Sequence, residues 1–114
     1  MNASDKIPLC PLDYALQQIG GKYKGRILWR LYLNEELRYN ELLKMLPDGS
    51  AKMLTQALKD LIDDGIIIKN ELREQRPKIV EYTLSDAGRE LIPVMQFLKA
   101  WGDRQLVKKA MKID

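Results

Sequence analysis

The chain has 114 residues, 46% hydrophobic and 31% charged, with a formal net charge of +3. That length fits one domain whose modest core an added subunit interface would help to stabilise, and the composition excludes a disordered chain. Histidine is absent and Cys10 is the single cysteine, which excludes an internal disulfide framework and the usual Cys/His zinc sites and removes the commonest general base.

No run approaches the roughly 20 apolar residues of a membrane-spanning helix. The N-terminal MNASDKIPLC lacks the apolar core of a signal peptide. The expectation is a cytoplasmic, non-enzymatic protein with no metal and no cofactor. There is no repeat, no low-complexity tract and no Gly/Ser-rich linker.

PLDYALQQIG predicts a first helix over about 11–19. Pro11 suits its first position, where a missing N–H costs nothing. Leu12, Ala15, Leu16 and Ile19 form an apolar stripe, and Gly20 and Gly21 end it. KGRILWRLYLN predicts a second helix with Ile27, Leu28, Leu31 and Tyr32 inward. LRYNELLKML begins with a brief extended piece and becomes a third helix burying Leu42, Leu43 and Leu46. Pro47, Asp48 and Gly49 predict a tight turn, after which Ser50 is a good N-cap for a fourth helix over about 50–63.

The period then changes to two. Ile66, Ile68 and Leu72 fall on one side of one strand, and Val80, Tyr82 and Leu84 on one side of another. With the polar loop REQRP between them they predict a hairpin over about 66–84. Ser85 then caps a long C-terminal helix running to about Trp101. Pro93 lies inside it and is expected to bend it, and Gly102 to end or break it before a further short helix, the whole covering about 86–112. Three helices, a tight turn into a fourth, a β-hairpin and a long final helix predict an α+β, mainly helical, single winged helix-turn-helix domain over 1–114.

The fourth helix, SAKMLTQALKDLIDDG, carries the functional signal. At about 100° per residue, Ala51, Leu54, Leu58, Leu61 and Ile62 gather on one side. Lys52, Gln56, Lys59 and Asp63 face the other, with Met53 and Thr55 on the flanks. Bases and amide occupy the first turns, while Asp60, Asp63 and Asp64 occupy the last. A helix optimised for stability alone would reverse that order, because acids favour its positive N-terminal end. A helix that enters the DNA major groove N-terminus first has a use for it: lysine reaches phosphates or guanine, and glutamine pairs with adenine.

Other cations extend this pattern. Lys22 and Lys24 belong to an acid-free stretch, and Arg38, Tyr39 and Asn40 sit at the start of the third helix, where backbone N–H groups suit phosphate. The hairpin loop offers Arg73 and Arg76, flanked by Lys69 and Lys78 and diluted by Glu71 and Glu74. Arg76 beside rigid Pro77 has the chemistry to enter a minor groove or clasp a phosphate. The expected DNA-binding set is therefore Ser50, Ala51, Lys52, Thr55, Gln56, Lys59, Lys22, Lys24, Arg38, Tyr39, Asn40, Arg73, Arg76 and Lys78. A merely solvated helix face remains the alternative for any one element.

CPLDYALQQIGGKYKGRILWRL, LRYNELLKMLPDGSAKMLTQALKDLIDDGII and VEYTLSDAGRELIPVMQFLKAWG together resemble the HxlR family of bacterial winged-helix transcription regulators, relatives of the MarR type. The likeness runs from about Cys10 to Gly102, with Tyr23 where family members commonly carry tryptophan. It implies a homodimer bound to double-stranded operator DNA, more often a repressor, with a recognition helix at 50–63 and a wing at 73–77.

Leu91, Ile92, Val94, Met95, Phe97, Leu98 and Trp101 cover most of the final helix, more than the stripe of a surface helix. Either it runs through the core or it meets a second copy. The expected dimer face combines Leu12, Leu16, Leu91, Val94, Met95, Leu98 and Trp101. Cys10 stands at the start of the first helix, where partial positive charge favours a thiolate. The resemblance implies oxidant or electrophile sensing there; a small packed residue is the alternative. A winged-helix module that binds protein instead of DNA is the rival function. A membrane-surface role for Lys108, Lys109 and Lys112 is matched equally well by a solvated helix end.

Overall fold

The computed structural model describes residues 10–46, 50–72, 74 and 77–112. In chain order the elements are α1 (Pro11–Ile19), α2 (Lys24–Asn34), β1 (Glu36–Arg38), α3 (Tyr39–Met45), α4 (Ala51–Asp63), β2 (Ile67–Leu72), β3 (Ile79–Leu84) and α5 (Asp86–Lys112). The expected turn at Pro47–Gly49 and the loop residues Arg73 and Arg76 lie outside the described residues.

The helix ends follow from local chemistry. Pro11 opens α1, and Gly21 turns the chain away with φ 76 after the C-cap Gly20. Ser50 Oγ accepts from Met53 N at 3.1 Å and caps α4. Ser85 Oγ accepts from Gly88 N at 3.1 Å and caps α5, while its hydroxyl reaches the carbonyls of Gly65 and Ile66 at 2.6 and 2.9 Å. That contact brings the start of α5 against the turn after α4. Gly88 permits it, because a Cβ there would collide with the Ile66 carbonyl.

One core joins these elements. Ile27, Leu28 and Leu31 of α2, Leu42 of α3, and Leu54 and Leu61 of α4 are fully buried. Leu37, Tyr82 and Leu84 close it from the sheet, and Ile92 and Met95 from α5. Ala51, expected inward, is exposed at the first turn of α4, and Ala57 is buried in its place. Ile62 is only partly buried.

Four further sequence expectations need correction. The extended piece before α3 is a strand, β1, so the hairpin belongs to a three-stranded antiparallel sheet ordered β1-β3-β2. In β2 the buried residue is Ile67, paired with Leu84, whereas Ile68 and Leu72 are exposed and Ile66 is buried just before the strand. Three consecutive isoleucines make either alternation readable, and pairing decides between them. Tyr32 faces outward, where its hydroxyl accepts from Gln96 Nε2 at 3.3 Å and its ring lies 5.4 Å from that of Trp29.

Finally, α5 continues through Pro93 and Gly102 as one 27-residue helix, about 40 Å long at 1.5 Å per residue. Lys99 and Asp103, an i,i+4 pair at 2.9 Å, bridge the Gly102 position, which offsets part of the ~1 kcal/mol that an interior glycine costs. The three-helix unit α2–α4 backed by the β2–β3 hairpin is a winged-helix arrangement. Among the described residues no helix is long and apolar enough to cross a membrane.

Candidate nucleic-acid interface

The outer face of α4 is built by its neighbours as much as by its own sequence. Ser50, Ala51, Lys52, Thr55, Gln56 and Lys59 are all exposed on it. Along one flank Lys22 and Lys24, from the α1–α2 turn and the start of α2, join Lys52, Gln56 and Asp60 around a concavity of about 320 Å³. Along the other flank Tyr39, Thr55, Lys59, Asp63 and Lys69 line a second concavity of about 290 Å³. Residues from four elements thus share one surface.

Several of these side chains hold one another. The Tyr39 hydroxyl lies 3.0 Å from the Ala51 carbonyl oxygen and 3.1 Å from Thr55 Oγ1. A carbonyl only accepts, so the Tyr39 proton goes to Ala51 and Thr55 donates to the Tyr39 oxygen. This fixes α3 against α4. At the start of α3, Arg38 N donates to Glu41 Oε1 at 2.9 Å, and the Arg38 residue is exposed on the surface.

Asp60 is not the distant bystander its position near the end of α4 suggested. Its carboxylate accepts from Gln56 Nε2 at 2.9 Å and lies 4.0 Å from Lys24 Nζ. Lys24 also donates to the Gln17 carbonyl at 3.3 Å. The i,i+4 spacing of Gln56 and Asp60 was the signal in the sequence for this contact. With one amide proton on Asp60, Gln56 still has a second proton and its carbonyl oxygen to offer a base edge.

The remaining expected residues divide. Asn40 and Lys78 are exposed. Lys22 places its ammonium 5.8 Å from the ring centroid of the buried Tyr23. On the far side of the sheet Glu36 meets Glu81. Their side-chain hydrogen bond, and secondarily their mutual repulsion, raise the Glu36 carboxyl above its ordinary 4.5. Burial, then the charge of Tyr39, raises Tyr82 above 10.

Of the expected dimer face, Leu12, Leu16, Val94, Leu98 and Trp101 are exposed. Leu91 is partly buried, and Met95 packs into the core of its own chain, so its side chain is taken up by intrachain contacts. Phe97, which sequence reading left out of that face, is 80% exposed. Cys10 is the exposed N-cap of α1, a free thiol with no side-chain capping bond.

The profile of the HxlR-like helix-turn-helix family matches residues 18–110. The chain belongs to that family. Within it, the HTH-type transcriptional regulator YdzF of Bacillus subtilis is 41% identical over 105 residues, 92% of this chain and 95% of that protein. The redox regulator HypR in its reduced form superposes with a TM-score of 0.79 at 33% identity, covering 88% of this chain and 99% of that one. Diamide-treated YodB from B. subtilis gives 0.71 at 31% identity, over 84% and 94% of the two chains. The protein is an HxlR-type, MarR-like DNA-binding transcription regulator with a winged-helix fold.

Proposed function

We propose that two copies of this chain bind an inverted-repeat operator, α4 of each entering the major groove and the 73–77 wing reaching the flanking backbone, and that the dimer acts as a repressor. The observation that carries the reading is the shared surface around α4. Lys52, Gln56 and Lys59 project from a helix whose front half carries no acid, and Lys22 and Lys24 flank it. Lysines supply sequence-independent phosphate contacts, and Gln56, steadied by Asp60, supplies base discrimination.

The dimer follows from the terminal helices. Val94, Phe97, Leu98, Trp101, Leu106 and Val107 on α5, with Leu12 and Leu16 on α1, are exposed apolar side chains of a kind that a monomer rarely collects. A two-fold pairing through them sets the α4 helices about 34 Å apart, one turn of DNA. Cys10 then serves as the responsive thiol. Its exposure supports this, as do HypR, described as a redox regulator, and YodB, whose structure was obtained after diamide treatment.

Selection of bound duplexes from a random pool tests the reading. The expected product is an inverted repeat with half-sites one turn apart. Recovery of sequences without symmetry, or of none, overturns it. With roughly 6–10 phosphates neutralised per dimer, affinity falls about 10³–10⁵-fold between about 50 and 200 mM salt; salt-insensitive binding removes the electrostatic basis.

A further inference from the structure

Met53 stands apart on α4. It is 48% exposed, whereas the other large apolar side chains of the helix, Leu54, Leu58, Leu61 and Ile62, are buried or partly buried. Its backbone N–H donates to Ser50 Oγ at 3.1 Å, which makes it the third residue of a capped helix. Stability favours glutamate or glutamine at that position, because either can reach back to the N–H of the capping serine. α3 uses this device: Arg38 N donates to Glu41 Oε1 at 2.9 Å. A glutamate at position 53 would repel phosphate, but a glutamine would complete the cap without charge. Charge alone therefore does not account for a methionine there.

The surroundings supply a use for an apolar tip. Met53 borders the concavity of about 320 Å³ between α4 and the α1–α2 turn, together with Lys22, Lys24 and Gln56. Gln56 follows Met53 by three residues, so the two share one side of the helix with Cβ atoms about 5–6 Å apart. That separation spans roughly one or two base-pair steps of about 3.4 Å. Thr55 is anchored to Tyr39 at 3.1 Å, and the Ala51 side chain reaches no further than its Cβ. Met53 is thus the long apolar side chain of α4 that extends into solvent beside the amide.

We propose that Met53 is a specificity-determining residue, packing on the C5-methyl group of a thymine one or two base pairs from the adenine paired by Gln56. The inference deepens the DNA-binding reading above and rests on it. Thymine's methyl is the apolar mark of the major groove, and apolar side chains read it by contact. The rotatable bonds and polarisable sulfur of methionine suit it to such a contact. Each half-site then carries two A·T positions, one read by hydrogen bonds and the other by burial of a methyl group.

Titration of the full chain with the selected operator tests this, each thymine of both half-sites being replaced in turn by deoxyuridine. Uracil lacks the methyl group and keeps the hydrogen-bonding edge. At one thymine position Kd is expected to rise about three- to fivefold per half-site, the worth of one buried methyl group, and about tenfold or more with both half-sites changed. In Met53→Ala the thymine preference at that position falls to about one, and Met53→Leu keeps most of it. Both variants are expected to keep the wild-type fold, because the side chain is exposed. Uracil bound as tightly as thymine at every position, or a thymine preference that Met53→Ala retains in full, overturns the proposal and leaves DNA binding intact. A chain that retains no duplex overturns the DNA-binding reading and this proposal with it.

Discussion

The Tyr39 hydroxyl lies 3.1 Å from Thr55 Oγ1, joining the first residue of α3 to the second turn of α4 across sixteen residues of sequence. With the Ala51 carbonyl as its acceptor, Tyr39 holds the two helices of the helix-turn-helix at one angle. Each such hydrogen bond is worth about 0.5–1.5 kcal/mol. Tyr39→Phe is expected to destabilise the fold by about 1–2 kcal/mol, lowering Tm by several degrees. Thr55→Val should cost about half as much, and the double variant little more than Tyr39→Phe alone, since the two share one interaction. Additive losses in thermal denaturation would mean the contact carries no energy.

Gln56 and Asp60 make a prediction with two opposite signs. Gln56→Ala should cost about 1–3 kcal/mol of discrimination at one base pair and leave nonspecific binding nearly intact. Asp60→Ala removes an anion near the proposed phosphate path and frees Lys24, so nonspecific affinity should rise while discrimination falls. Competition titrations with single-base operator variants read both. If Asp60→Ala sharpens discrimination, Asp60 does not steady the amide.

The exposed residues of α5 predict the assembly. Leu98→Asp and Trp101→Asp each place a charge in the proposed interface and should weaken the dimer by roughly 2–5 kcal/mol, while secondary structure is kept because both side chains are exposed in the single chain. Sedimentation should show monomer at micromolar protein, with operator binding lost in parallel. Met95→Ala should behave differently: it opens a cavity in its own chain and lowers monomer stability by about 2–5 kcal/mol. A Trp101→Asp protein that remains dimeric would exclude α5 from the contact.

Glu36 gives a pH signature. Its folded carboxyl is raised, first by the hydrogen bond to Glu81 and then by the repulsion between them. A raised carboxyl favours the folded protein below the ordinary value of 4.5, and that contribution is lost as pH rises through the higher folded value. Glu36→Gln keeps a hydrogen-bond donor and removes the charge. It should therefore raise Tm at neutral pH and lose that advantage below about pH 4. An advantage constant with pH would mean the two carboxyls do not interact.

Cys10 predicts redox control. Diamide takes two electrons and two protons from a pair of thiols, leaving a disulfide, here between two subunits, or with a small thiol such as glutathione if their geometry forbids it. A diamide-dependent change in operator affinity, reversed by dithiothreitol and absent in Cys10→Ser, is expected. Operator binding unaffected by diamide leaves Cys10 without a sensing role.

The sequence alone carried α1 to α4, the serine caps of α4 and α5, and the charge order along α4. Ser50 and Ser85 cap where hydroxyls precede helical periodicity, and Leu54, Leu58 and Leu61 are buried as their spacing requires. These are local properties, set by the hydrogen-bonding needs of helix ends and by the 3.6-residue period. Tertiary structure decided what each face meets. It made Glu36–Arg38 a strand by pairing it with β3, selected Ile67 over Ile68, and drew Met95 into the core while leaving Trp101 outside. It also turned Asp60 toward Lys24, thirty-six residues earlier in the chain. Periodicity tells which side of an element is apolar; only chain segments distant in sequence, once packed, determine whether that side finds a partner within the same subunit.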